Sequence, residues 1–226
     1  MTKPSYYYDS DFIKNQAATG KHRNIIGGLW EELGDLQINF LKAQGLSPEH
    51  RLLDVGCGSM RLGVKAVPLL DPGNYFGTDL NLDLLKAGYA KEIEPLGLAD
   101  RLPKRNLAQD SGFHFASLPD RIDYIIATSV FTHLPLNHMK LFLRNLEKKL
   151  KAPAKLFFTV FLCEDQGWCS PEIEQKMGIR TRPIRDPYHY SEADILYAAS
   201  GTNWQFQGIE DWNHPRNQQM VCFTKS

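Results

Sequence analysis

Two acids and two glycines carry the chemistry that can be read from this chain. The stretch Arg51-Leu52-Leu53-Asp54-Val55-Gly56-Cys57-Gly58-Ser59-Met60-Arg61-Leu62-Gly63 runs an apolar segment into a carboxylate, then a pair of glycines, then a helical pattern. Leu52, Leu53 and Val55 suit a buried parallel strand, and Gly56 and Gly58 allow a sharp turn at which backbone can approach a ligand closely. Asp54 decides the kind of ligand. A pyrophosphate on the glycine loop and the following helix start would be repelled by a carboxylate just ahead of it, whereas a ligand with an ammonium group and no phosphate would be welcomed there. A second acid ends the segment Asn74-Tyr75-Phe76-Gly77-Thr78-Asp79. Asp79 lies about 20 residues beyond Gly58, the spacing at which a βαβ unit sets a carboxylate against a ribose diol.

A nucleoside site without its phosphate site resembles the class I S-adenosylmethionine-dependent methyltransferases. Asp54-Val55-Gly56-Cys57-Gly58 stands where that family has its glycine-rich first motif, and Asp79 where it has its ribose-binding acid. The family pattern often places a third glycine where this chain has Met60. The stretch from Gly20-Lys21-His22-Arg23 through Gly34 looks like a bacterial small-molecule and glycan-type subset of the family. The resemblance implies S-adenosyl-L-methionine as cofactor, with Asp54 and Gly56 facing its methionine end, Cys57 and Gly58 among the cofactor-binding residues of the same loop, and Asp79 on the ribose hydroxyls. It gives Asp110, after the third strand, the adenine amino group, with Leu80 and Phe113 as apolar contacts to the base. Thr128, Ser129 and the segment through Leu134 would line the methionine portion and the substrate entrance. His133 in that segment is a candidate substrate contact or general base, an imidazole being able to take a proton near neutral pH. The implied reaction is in-line transfer of a methyl group to an O, N or C nucleophile of a small molecule or glycan-type precursor.

The elements that must position these residues follow from periodicity. Ahead of the first strand, Asn24 to Gln44 has helical spacing at Ile25, Leu29, Leu33, Leu36, Phe40 and Leu41, interrupted by Gly27, Gly28 and Gly34; it reads as two helices or as one that yields at Gly34. Residues 1–45 form a helical lid segment of the same domain as residues 46–226. From Arg51 onward strands and helices alternate. Strands are expected at 52–55, 75–78, 106–109, 124–128 and 155–162, and helices at 60–70, 81–94 and 136–150. Asn81 is the expected N-cap of the second of these, with Leu82, Leu85, Tyr89 and Ile93 on its core face. Met139, Leu143, Leu146 and Leu150 form the inner face of the third. The pattern lapses between Cys163 and Tyr190, as in a functional loop or insertion. It resumes with an N-cap at Ser191, a helix to Ala199 and two strands, 204–209 and 220–224. The fold class is therefore α/β: a Rossmann-like, doubly wound, mostly parallel seven-stranded sheet with an antiparallel C-terminal edge hairpin and an N-terminal helical segment.

Composition narrows the rest. In 226 residues the chain has 42% hydrophobic and 23% charged residues and zero formal net charge, the values of one globular domain with no bulk bias toward nucleic acid or an anionic membrane. The clusters Arg101, Lys104, Arg105 and Arg180, Arg182, Arg185 read as solvated faces. Cys57, Cys163, Cys169 and Cys222 contain no Cys-x-x-Cys pair and no histidine at metal-ligand spacing, so neither a metal site nor a disulfide framework is expected. With no apolar run near the ~20 residues of a membrane helix and no signal pattern, the expectation is a cytoplasmic protein acting on a small-molecule acceptor.

Beyond the glycine loop the residues admit alternatives. Trp168, Tyr188, His189, Tyr190, Trp212, His214 and Arg216 would suit an aromatic acceptor pocket, with His189 or His214 as base, or the ordinary packing of a loop on the sheet. Asp110-Ser111-Gly112 is also a good turn. Two other functional classes remain. A nicotinamide oxidoreductase needs a pyrophosphate at Gly56 to Gly63, against which stand Asp54 and Arg61, the latter where a third fingerprint glycine should fall. A non-catalytic adenosyl-cofactor-binding domain would keep the fold without turnover.

Overall fold

Residues 5–45 fold onto the sheet as three helices. A computed structural model describes residues 5–151, 153–164 and 171–226, so Trp168 and Cys169 lie outside the described residues. A 3-10 turn at Tyr6–Tyr8 leads into α1 (Ser10–Ala18), capped by the Asp9 carboxylate, which accepts the Phe12 N–H at 3.1 Å. Next come α2 (His22–Ile25) and α3 (Trp30–Ala43). The helical pattern breaks at Gly27-Gly28-Leu29, all at positive φ, and not at Gly34. Gly34 sits inside α3, where a Cβ would stand 3.3 Å from the Arg61 carbonyl oxygen; this glycine serves close packing of α3 on the loop after the first strand.

The alternating region gives β1 (Leu52–Val55), α4 (Gly63–Leu69), β2 (Tyr75–Asp79), α5 (Leu82–Gly88), β3 (Leu107–Gln109), β4 (Tyr124–Ala127), α6 (Leu136–Lys149) and β5 (Ala154–Leu162). After these come β6 (Ile173–Glu174), β7 (Arg180–Thr181), β8 (His189–Tyr190), α7 (Glu192–Ala199), β9 (Gln205–Glu210) and β10 (Gln219–Lys225). Strand order is β3-β2-β1-β4-β5-β10-β9, parallel through β5, with β10 antiparallel to both of its neighbours and β8 added in parallel to the end of β5. The C-terminal hairpin is thus inserted with its last strand inward, and β9 forms the edge.

Alternation along the strands feeds two cores. Leu53 and Val55 join Ile125, Phe158, Met139 and Phe142 on the face covered by α6 and α7. Leu52 joins Ile126, Phe157, Ala66, Leu85, Ile38 and Leu41 on the other, so α3 of the N-terminal segment shares a core with the sheet. All four apolar positions expected inside α6 are buried.

Other elements depart from the expected pattern in instructive ways. Helix α4 starts at Gly63, three residues late, because Met60 is held at φ 75° in the loop. The Asn81 side chain caps nothing; its amide donates to the Tyr7 carbonyl at 3.1 Å. Leu82 is 41% exposed, and the buried side of α5 is Leu84, Leu85 and Ala87, with Tyr89 and Ile93 buried in a π-helical continuation over Tyr89–Ile93. Ser191 caps α7 in a reciprocal capping box with Asp194. Between Cys163 and Tyr190, β6 and β7 form a small hairpin, and Glu172 pairs with Arg180 and Arg182. Among the described residues no helix is long and apolar enough to cross a membrane.

Candidate active site

A cavity of about 960 Å³, open solvent at its mouth included, lies at the carboxyl ends of β1 to β4, where the chain crosses from one side of β1 to the other. Its floor is the glycine loop. Gly56 and Gly58 both have positive φ, and a Cβ on either would stand 2.5 Å from Val130 Cγ2 or 2.8 Å from Ile26 Cγ2. Both glycines are therefore required by conformation and by neighbours that precede and follow the loop in the sequence.

Asp79 ties the loop to β2. Its carboxylate accepts the Gly58 N–H at 2.9 Å and the Asn81 N–H at 2.7 Å. Burial raises it to about 6, against the pull of those two donors. Asp54 is buried and accepts the Tyr75 hydroxyl at 2.7 Å. Burial raises it to about 7, while the Tyr75 hydrogen bond and the Arg61 charge oppose and Asp79 reinforces the rise.

Two orphaned groups share the cavity with Asp54. Arg61 is 7% exposed and donates from Nη1 to the Ile26 and Gly28 carbonyls, at 3.3 and 3.2 Å, leaving Nε without a partner. Gln37, from the buried side of α3, donates from Nε2 to Thr128 Oγ1 at 2.9 Å and leaves Oε1 without one. A buried unpaired donor and a buried unpaired acceptor beside a carboxyl cost stability unless a ligand meets them. Together they complement an ammonium and a carboxylate carried on one small group. Sequence reasoning missed both. The signal for Gln37 was a polar residue one turn beyond Leu33 on an apolar stripe; for Arg61 it was a cation inside an otherwise neutral loop.

The cavity gathers all ten expected cofactor contacts, Asp54, Gly56, Cys57, Gly58, Asp79, Leu80, Asp110, Phe113, Thr128 and Ser129, and adds Tyr7, Tyr8, Ile26, Gln37, Arg61 and Asn81. Cys57 is buried, and its thiol is pushed up by burial and by the Asp54 and Asp79 charges, so it packs and does not react. Asp110 closes its own turn: it accepts the N–H groups of Gly112, His114 and Phe115 at 3.1, 3.0 and 2.8 Å. Burial would raise its carboxyl, and those donors hold it below the usual range. Phe113, at φ 54°, packs its ring on Phe142 and Phe131. Ser129 donates from its backbone to Thr159 Oγ1 at 2.7 Å and from its hydroxyl to Gln218 Oε1 at 3.0 Å.

Of the three candidate catalytic histidines, the cavity brings in His133 and leaves out His189 and His214. His133 Nδ1 lies 2.6 Å from Asp186 Oδ1. His189 is buried with Nδ1 3.1 Å from Thr181 Oγ1. His214 is buried against Trp212, accepts the Arg216 N–H on Nδ1, and is driven down to about 3 by burial and by the Arg216 and Arg61 charges. Tyr188, Tyr190 and Trp212 are likewise buried in packing and do not line the cavity.

Residues 53–156 match the model of a family described as "Methyltransferase domain". Among solved structures, the chain resembles the magnesium protoporphyrin IX methyltransferase ChlM of Synechocystis PCC 6803 with bound SAH, at TM-score 0.65 and 15% identity over 96% of this chain and 100% of that one. An S-adenosylmethionine-dependent methyltransferase of Clostridium acetobutylicum ATCC 824 gives 0.63 and 13% over 94% and 98%, and the glycopeptide N-methyltransferase MtfA gives 0.61 and 14% over 85% and 90%. At these identities the shared property is the fold. The matched span, just under half of the chain, runs from the β1 that carries Asp54 into β5, and over it the chain is similar to the methyltransferase-domain family.

Proposed function

We propose that the protein transfers a methyl group from S-adenosyl-L-methionine to an O, N or C nucleophile of a small molecule or glycan-type precursor, in the cytoplasm. The observation that carries this reading is the order of groups along one cavity: Asp79 at the nucleoside end, the glycine loop, then Asp54 with the orphaned Gln37 Oε1 and Arg61 Nε. Asp79 would take the ribose hydroxyls, its two oxygens each keeping a free lone pair. Asp54 and Gln37 would hold the ammonium of the methionine end and Arg61 its carboxylate. The cofactor, when bound, supplies an electrophilic methyl group on a sulfonium. The protein's own task is to orient the acceptor in line with that methyl and to keep water away. Tyr7, Tyr8, Ile26 and Gln37 support a role for residues 1–45 as a cover over the bound cofactor. The magnesium protoporphyrin and glycopeptide acceptors named for two fold neighbours favour a small-molecule or glycan-type substrate.

Calorimetric titration tests the reading. S-adenosylmethionine and S-adenosylhomocysteine should bind and reduced nicotinamides should not; the reverse outcome overturns it. Asp79→Ala should weaken adenosyl binding by about 1.5–3 kcal/mol, the range of a hydrogen bond to a charged group. Unchanged affinity would put the ribose elsewhere.

A further inference from the structure

The segment that leads from β7 into β8 is stitched to the loop after β4 at three consecutive residues. The Tyr188 N–H donates to the Thr132 carbonyl at 2.8 Å, the Tyr190 hydroxyl to the Leu134 carbonyl, and between them Asp186 Oδ1 meets His133 Nδ1 at 2.6 Å. Both partners of this middle contact are largely sheltered, with side chains 23% and 16% exposed. The imidazole stands edge-on to the rings of Tyr7 and Tyr6, at 5.1 and 6.1 Å. It lines the cavity that also holds Asp54 and Asp79. With Nδ1 committed to Asp186, Nε2 has no hydrogen-bond partner among the described residues.

We propose that Asp186 is a positioning residue: it fixes His133 as the Nδ1–H tautomer and so presents the Nε2 lone pair to an acceptor atom that must lose a proton as it is methylated. The inference rests on the methyl-transfer reading above and narrows its acceptor class. A carboxylate on one imidazole nitrogen decides which of the two carries hydrogen and stabilises the imidazolium once formed. In the step itself an acceptor lone pair forms the bond to the methyl carbon, and the carbon–sulfur bond breaks with its pair left on sulfur. The acceptor's proton passes to Nε2 and then to solvent. An acceptor with no proton to lose has no use for this arrangement.

The test is nitrogen-15 NMR of the full chain labelled at histidine. In the ligand-free protein the Nδ1–H form of His133 should exceed the other by about tenfold or more, as a charge-assisted hydrogen bond requires. That excess should vanish in Asp186→Asn and persist in Asp186→Glu. An even mixture or an Nε2–H majority in the wild type overturns the proposal, and this measurement needs no variant to fold. The second arm separates a positioning role from a tether. Adding the adenosyl analogue whose carbon-bound amine replaces the sulfonium methyl should move the Nε2 resonance well beyond the change caused by S-adenosylhomocysteine. If both compounds bind by calorimetry and Nε2 responds to them alike, the dyad proposal falls and the cofactor reading stands. If neither binds, the cofactor reading falls and takes this one with it.

Discussion

At the residue scale the buried carboxyl of Asp54 sets a pH signature. Burial raises it to about 7, so the folded, ligand-free protein holds a proton that the unfolded chain, with its carboxyl near 3.8, has already released. The unfolded state therefore binds fewer protons between those values, and stability is greatest below about 4 and falls as pH rises toward 7, by up to about 4 kcal/mol from this group. Asp79, raised to about 6, pulls the same way over a narrower window. Ligand binding has the opposite sign, because an ammonium or sulfonium selects the ionised carboxylate. Affinity for S-adenosylmethionine should drop as pH falls below about 7, approaching tenfold per pH unit for a single group. Asp54→Asn should flatten both profiles relative to wild type in thermal melts and in calorimetry. A variant that keeps the wild-type slopes would assign the proton to another residue.

At the element scale, the glycine loop is shaped by what leans on it. A Cβ on Gly88 would stand 2.5 Å from the Ser59 carbonyl carbon, so α5 presses its last turn directly on the loop before passing into π-helix. Gly88→Ala should cost about 3 kcal/mol, at the upper end for overpacking against backbone that cannot yield, and should weaken adenosyl binding. Gly97→Ala, at φ 69° with open space around it, should cost about 1 kcal/mol and leave binding unchanged. Equal losses in the two variants would show that the contact is slack. The same elements mark how far the sequence could be read. β1, β2, β4, α6 and β5 were legible from their apolar runs and periods, and the ends of β1 and β2 placed Asp54 and Asp79 on one cavity. β6, β7 and β8 are two residues each and show none. Asp186 gave no local sign at all, since its meaning lies in a partner more than 50 positions back.

For the molecule as a whole, the cavity is built jointly by the sheet and by a segment that precedes it. One fastening is Glu92 on the π-helical turn, which accepts Arg23 Nε and Nη2 at 2.7 and 2.6 Å and lies 2.6 Å from His22 Nε2. Glu92→Gln should loosen residues 5–29 by about 1–3 kcal/mol, the cost of unmaking charged hydrogen bonds. Hydrogen exchange should accelerate over that segment and not in β1, β4 or β5; uniform acceleration would mean that Glu92 supports the whole fold. At the other end of the chain, β10 pairs with β5 along seven register positions, and Gln218, one residue before it, accepts from both Ser129 and Thr159. The strand that finishes the middle of the sheet thus follows every other strand in the sequence. During synthesis the long apolar edge of β5 must wait unpaired while more than 50 further residues are made, and an unpaired apolar edge invites pairing with another chain. A chain interrupted near residue 210 would therefore leave β5 with an unpaired apolar edge, open to pairing with another chain.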